Sequence, residues 1–374
     1  MATRQALYSD LAVPPGEYLA EVIEELGMTQ ADLARRMGRP TQAVNEIVLG
    51  KKAITSETAL QLEMVTSVPA HIWTGLEDEY RLVLARQEEA QQLQQDGGKV
   101  DVDLFRAMVK LGWLGSARST SERARELRKF FGVAALSYVK DAKLSGYAFR
   151  IANRDAASSL ALAAWLRRAE LDTREMRTEP FNPDGLKAAI AELRQTTRRD
   201  PQYWLADARR LLAAYGVALV VQPHLPKTYA NGAAFWPLPD KAAVVLSLRG
   251  AWADIFWFSL FHELGHVLLH GRREPHISID KADDKVEIEA NLFAANQLVP
   301  RAKYEEFVLN GDFSVAAVKA FADLVVVAPG VIVGRLHHES HVPHNRLNSL
   351  REKVDFRSWG VEPLTATPKP ARHA

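Results

Sequence analysis

The first 95 positions are built from short runs in which apolar residues recur three and four apart and which stop at a glycine or a polar turn. PPGEYLAEVIEELG places Leu19, Val22, Ile23 and Leu26 on one helical face and ends at Gly27. MTQADLARRMG follows, with Thr29 as N-cap, Asp32 three residues on and Gly38 at the close. RPTQAVNEIVLG comes after a very short turn, and SETALQLEMVTS and PAHIWTGLEDEYRLVLARQEEAQQLQQ complete a helical unit. QQDGGKV, residues 94–100, has the composition of a linker. Residues 100–200 are again helical in period, as in SERARELRKFFG and ASSLALAAWLRRAELD. From about 202 the period changes: after the helix WLADARRLLAAYG, the runs VALVVQP, GAAFW and AAVVLSL predict two or three strands. A helix around FHELGH, a loop RREPHISIDKADD, a helix KVEIEANLFAANQLVP and two more helical runs, VAAVKAFADLVVV and GVIVGRLHHE, follow. The Pro-rich end, GVEPLTATPKPARHA, predicts a disordered tail.

Charge refines this picture. Residues 1–95 carry 8 Lys/Arg against 14 Asp/Glu, a net of −6, whereas residues 99–210 carry 22 against 14, a net of +8. The basic middle could face nucleic acid or an acidic partner, although such an excess on helices is more often a solvated surface. The absence of cysteine excludes disulfides and thiolate metal sites and fits a reducing compartment. Any metal must be held by His, Asp or Glu. No secretory h-region opens the chain, and the most apolar stretch, AWADIFWFSLFHELGHVLLH, is broken by Asp254, His262, Glu263 and His266, so a cytoplasmic protein without a membrane span is expected.

That stretch carries the clearest chemistry. His262, His266 and His270 stand at steps of four. Helical residues four apart share a face about 6 Å apart along the axis, so His262 and His266 can share one zinc. His270 is roughly 12 Å along the axis from His262 and rotated by about 40°, too far for the same ion. Glu263, rotated about 100° from His262, can reach a metal-bound water rather than the metal. A catalytic zinc wants a third protein ligand. The downstream histidine pattern of one common solution fails, because positions 269 and 272 are Leu and Arg. The following helix offers Glu287 and Glu289. Glu287 is preferred because Asn291 falls one turn later on the same face, where it can hydrogen-bond a liganding imidazole; Glu289 is the alternative. One Zn2+ per chain is expected, with Glu263 as the proton-transferring carboxylate in peptide-bond hydrolysis. Tyr229, Arg249 and His270 are candidates for stabilising the developing oxyanion, and the strands before the site could take a substrate peptide as an added strand.

TQADLARRMGRPTQAVNEIVLG has the pattern of a helix-turn-helix, with Ala34 and Gly38 small where the two helices approach. Its second helix would present Thr41, Gln42, Asn45 and Glu46; Gln and Asn suit adenine edges in the major groove. Arg39, Lys51 and Lys52, with Arg35 and Arg36, suit phosphates. Residues 35–52 carry a net +4 inside a domain of −6, so positive charge is focused where DNA would dock. Paired half-sites would call for a homodimer.

Residues 14–85, including the KKAIT stretch and the Trp73 region, resemble the Xre/Cro-C1-type helix-turn-helix of the HigA antitoxin group. Residues 202–357 resemble the ImmA/IrrE zinc metallopeptidases, through NGAAFW, VVLSLRG, FWFSLFHELGHVLLHG, EIEANLFAANQLVP and APGVIVGRLHHE with RLNSL. The resemblance implies His262, His266 and Glu287 as zinc ligands, Glu263 as catalytic acid/base, and a regulator that inactivates a repressor-like protein by proteolysis. The expected architecture is mainly α with a small β-sheet (α+β): a helix-turn-helix bundle over 1–93, a linker and helical middle over 94–200, a zincin-like metallopeptidase domain over 201–359 and a tail over 360–374. A different function would make the chain a HigA-like antitoxin or transcriptional repressor whose peptidase-like domain only senses or binds.

Overall fold

The structure is a computed structural model that describes residues 11–142, 156–247, 252–270, 272, 275–279 and 285–361. The tail beyond 361 and Arg249 lie outside the described residues. The chain divides into two compact units, one up to Lys99 with Thr120–Glu122, the other from Val100–Ser119 and Arg123 onward.

The first unit is the expected run of helices: α1 (Pro15–Glu25), α2 (Gln30–Met37), α3 (Thr41–Val48), α4 (Ser56–Thr66) and α5 (Ala70–Gly97). Proline at the first turn starts α1, where a missing N–H costs nothing. Thr29 and Asp32 form a reciprocal capping box at the start of α2. Leu19, Leu33, Ile47 and Leu62 meet in the core with Trp73, whose Nε1 donates to the Val68 carbonyl at 3.2 Å. Ala34 is buried as expected, but Gly38 is not at a close approach. A Cβ there would meet nothing within 4 Å; Gly38 is required by its left-handed φ of +64° after α2. The close approach is at Gly16, where a Cβ would fall 2.2 Å from the Ile47 carbonyl oxygen and 2.4 Å from that of Val48. The polar run expected as a linker from residue 94 continues α5 to Gly97, because nothing in it breaks a helix before the two glycines and Leu93 is buried.

The second unit centres on a four-stranded sheet of order β1-β3-β2-β4, made of β1 (Val217–Gln222), β2 (Ala230–Leu238), β3 (Lys241–Ser247) and β4 (His276–Ile279). β1 and β3 are parallel; β2 runs antiparallel to both β3 and β4. Strand β4 lies in the stretch expected as a loop: HISI is only four residues long, and its pairing with β2 is a tertiary event. Both sheet faces are covered, so β1 and β3 are continuously apolar rather than alternating. Val217, Leu219, Val244 and Leu246 share one core with α9 (Pro183–Thr196), α10 (Pro201–Ala213) and α11 (Ala253–Leu269). Val220, Ala233, Phe235 and Val245 share the other with α6 (Val102–Lys110), α7 (Thr120–Phe131) and α8 (Ala156–Glu175). The helices expected as a joining middle region thus form a layer on the sheet.

Four further helices complete this unit: α12 (Lys285–Leu298), α13 (Arg301–Asn310), α14 (Val315–Val325) and α15 (Pro329–His338). The start of α11 is anchored by Asp254, which accepts from Arg351 Nε at 3.1 Å and Nη2 at 2.8 Å. Gly334 of α15 leaves the room for that carboxylate. Among the described residues no single helix is long and apolar enough to cross a membrane.

Gly16→Ala is expected to destabilise the chain by about 1–3 kcal/mol through overpacking against α3. Urea unfolding measures it, and an unchanged midpoint would show that the α1–α3 contact is not as tight as described.

Candidate metal centre and nucleic-acid face

Helix α11 is apolar on almost every side, and its few polar groups are buried in it: His262, Glu263 and His266 are 6%, 1% and 1% exposed. Burying such groups is unfavourable unless each finds a partner, and partners arrive from two elements. Helix α12 packs on α11 across a tight contact; a Cβ on Gly265 would stand 3.2 Å from Ala290 Cα, so glycine permits the close crossing. That crossing brings the Glu287 carboxylate to both imidazoles, with Oε2 at 3.1 Å from His262 Nε2 and Oε1 at 3.2 Å from His266 Nε2. The two Nε2 atoms are 3.0 Å apart. Ligands at about 2.0–2.1 Å from a tetrahedral zinc stand roughly 3.3 Å from each other. The three donors therefore fit one such ion with little adjustment. Asn291 Oδ1, one turn beyond Glu287, is 2.9 Å from His262 Nδ1, which leaves Nε2 as the donor toward the centre.

The second set of partners comes from the sheet. Ser278 of β4 donates from Oγ to Glu263 Oε1 at 2.6 Å and stands 3.0 Å from His262 Nε2. Gly232 of β2, paired with Ser278, faces Glu263; a Cβ there would fall 2.3 Å from Glu263 Oε1. Glu263 Oε2 is buried with no hydrogen-bond partner. A lone carboxylate oxygen beside a convergent His2Glu set is where a water held by a metal would be received, which is a second sign that the residues suit a zinc.

In the first unit, Thr41, Gln42 and Asn45 are exposed along α3, as are Lys51 and Lys52 after it. Gln42 Nε2 donates to Glu46 Oε1 at 3.0 Å, and Asn45 Nδ2 to Gln30 Oε1 at 3.2 Å, so Gln30 at the start of α2 joins the polar face. The Lys51–Thr55 turn is pinned by buried Glu77, which accepts from the Ile54 N–H at 3.0 Å and from Arg81 Nε at 2.7 Å. Arg39 differs from the other basic residues. It is half-buried against α4, with Nε on Gln61 and Nη2 3.3 Å from Glu57, so part of its charge is already compensated.

Residues 19–73 match the helix-turn-helix family, and residues 254–322 match the IrrE N-terminal-like domain of peptidase family M78. The chain thus carries a helix-turn-helix domain and an IrrE-like M78 domain. Among its relatives is Virulence-associated protein I of Dichelobacter nodosus, 32% identical over 79 residues, spanning 21% of this chain and 73% of that protein. Similar solved structures include an addiction module antidote protein of a HigA family from Coxiella burnetii, 30% identical, with 22% of this chain and 92% of that chain covered and a TM-score of 0.21. The Pseudomonas aeruginosa antitoxin HigA, solved with the higBA promoter, is 29% identical, with 23% and 94% covered and a TM-score of 0.22.

Within the M78 domain, the two carboxylates of α12 have separate places. Glu287 faces both metal-side imidazoles, while Glu289 Oε2 lies 3.2 Å from His270 Nε2. His270 is the residue that ends α11, in extended backbone, and its Nδ1 is 2.9 Å from His266 Nδ1. Of the three oxyanion candidates, His270 is thus turned to His266, Tyr229 is 57% exposed at a left-handed φ of +52°, and Arg249 is outside the described residues. Residues that pattern alone missed are Ser278 and Gly232, both delivered by the β2–β4 pairing.

Burial pushes the Glu263 carboxyl up to about 7, against the pull of His262 and the Ser278 hydrogen bond. Burial also pushes Glu287 upward, but its hydrogen bonds with His262 and His266 and their charge outweigh this and hold it at about 2. Burial lowers both imidazoles; in His266 it prevails, whereas in His262 the hydrogen bond to Glu287 and the charges of Glu263 and Glu287 raise the ring above its usual value. Glu287 is therefore ionised at any pH where the protein is handled, and the proton that competes with a metal sits on His262. Zinc affinity of the M78 domain is expected to fall by about tenfold per pH unit for each proton displaced, as pH drops through and below the imidazole range. Competition titrations against a chromophoric chelator from about pH 8 to about pH 5.5 measure this; a flat profile would show that no imidazole proton is displaced.

Proposed function

We propose that the chain is a cytoplasmic regulator with a DNA-reading helix-turn-helix and a zinc-dependent endopeptidase, cutting a repressor-like protein. The observation that carries the enzymatic half is the convergence of His262 Nε2, His266 Nε2 and the Glu287 carboxylate beside the unpartnered Oε2 of Glu263. His262, His266 and Glu287 would hold the ion, and Asn291 fixes the His262 ring. A zinc bound there supplies Lewis acidity, polarising a peptide carbonyl and easing deprotonation of an attacking water. Glu263 receives the water's proton on Oε2 and delivers it to the leaving amine. Its burial, with a pKa raised to about 7, suits a group that must both take and give a proton near neutral pH. Ser278 holds the other oxygen and so aims the carboxylate. Strand β4 is the outer strand beside the site, so an extended peptide added to it would run past Glu263.

The regulatory half rests on the exposed face of α3 and on the family to which residues 19–73 belong. Thr41, Gln42 and Asn45 would meet base edges, Lys51 and Lys52 phosphates. Arg39, tied to α4, would orient the helix and add charge at the margin.

Glu263→Gln is expected to keep one zinc per chain and abolish cleavage of a repressor-like substrate, whereas Glu287→Ala loses the zinc. Metal content by mass spectrometry with a cleavage assay reads both. Zinc binding with no cleavage by wild type, and no cellular effect of Glu263→Gln, would instead indicate a HigA-like repressor with a sensing domain.

For DNA, Asn45→Ala is expected to cost about 1–3 kcal/mol on a selected operator and relax the preference at one position. Lys51→Ala should weaken all duplexes alike and lower the salt slope by about one. Binding that is insensitive to salt and to both substitutions would mean that the face docks protein rather than DNA.

A further inference from the structure

Two residues of the M78 domain have no part in the zinc set, yet they form a line leading out of it. His270 and Glu289 are that pair, and in the three-histidine group His266, His270 and His276 one ring nitrogen from each lies within 4.8 Å of the others. By distance alone the group could hold a second ion. Ring orientation decides against it. His276 lies parallel to His266, with centroids 4.7 Å apart and 6° between planes. Imidazole lone pairs lie in the ring plane, so rings stacked face to face direct them into parallel planes and not to a common point. An ion on His266 Nδ1 would also require that ring to give up both protons while Nε2 faces His262 and Glu287.

Proton placement then follows step by step. With His266 Nε2 directed at the zinc set, its proton is on Nδ1. That atom is 2.9 Å from His270 Nδ1, which must accept. The His270 proton is then on Nε2, which is 3.2 Å from Glu289 Oε2 and donates to it. Each imidazole in the line has one role, the His270 side chain is only 8% exposed, and the other Glu289 oxygen, Oε1, lies 3.7 Å from Lys285 Nζ. We infer that Glu289 and His270 are positioning residues: a carboxylate–imidazole relay that fixes the tautomer and orientation of His266 from outside the ligand set, with His276 as the stacking wall that keeps the ring from turning. This inference rests on the metal-centre reading proposed above. It gives His266 the support that Asn291 gives His262, from a carboxylate one imidazole further away.

The test is the zinc dissociation constant, by chelator competition, together with the visible spectrum of the cobalt(II) form. His270→Leu, which cannot accept from His266, is expected to weaken zinc by roughly 10–100-fold and to shift the cobalt bands. His270→Gln, whose amide oxygen can accept, should restore most of the affinity. Glu289→Ala should fall between, and being at a half-exposed position it keeps the test open if His270→Leu fails to fold. His276→Ala should leave one zinc per chain. The relay is overturned if one zinc binds equally well across the set, if His270→Gln is as weak as His270→Leu, or if wild type takes a second zinc that His276→Ala loses. A wild type that takes up no zinc overturns the metal centre itself and the relay with it.

Discussion

Everything around the candidate centre follows from placing ionisable groups inside an apolar helix. His262, Glu263 and His266 could not remain buried in α11 unless other elements answered their polar atoms. Helix α12 answers with Glu287 and Asn291, and the β2–β4 pair with Ser278 and an open space at Gly232. The two helices can approach because position 265 has no side chain, and α11 holds its position because Asp254 is clamped by Arg351. One atom, Glu263 Oε2, is left unanswered by protein, and it is the atom the proposed chemistry would use.

Sequence periodicity carried much of this site because its parts repeat on helices. Steps of four placed His262 with His266, and the same step on the next helix placed Asn291 behind Glu287. What the chain does not reveal is which groups meet across elements. Ser278 looked like an ordinary loop residue because the four-residue strand that holds it exists only through pairing with β2. Glu289 remained the alternative to the preferred Glu287, and the crossing of the helices turns one carboxylate to the centre and the other to His270. The glycines of the first unit show the same limit. Gly38 was legible as a helix stop, but the glycine that lets helices touch is Gly16, far away in sequence from the carbonyls it approaches.

The helix-turn-helix domain meets a different constraint, since its working face must stay open while its charges stay placed. Glu77 achieves this from beneath: buried, and paired with Arg81, it grips the backbone of the turn that carries Lys51 and Lys52 and leaves their side chains outward. Arg39 shows the opposite solution, a basic residue drawn back by Gln61 and Glu57 into the packing of α4. Equal charges counted along the sequence are thus unequal as contacts.

Gly232 makes one part of the centre separable from the rest. Its missing side chain is the space that Glu263 occupies, yet its backbone does no more than any residue of β2 to hold the sheet. A single base change at its codon replaces glycine by a larger residue and can displace the carboxylate while leaving both histidines, Glu287 and the whole DNA-facing domain in place. A side chain at this one strand position therefore separates the placement of Glu263 from the convergence of His262, His266 and Glu287, so that one residue of the sheet governs the first without touching the second.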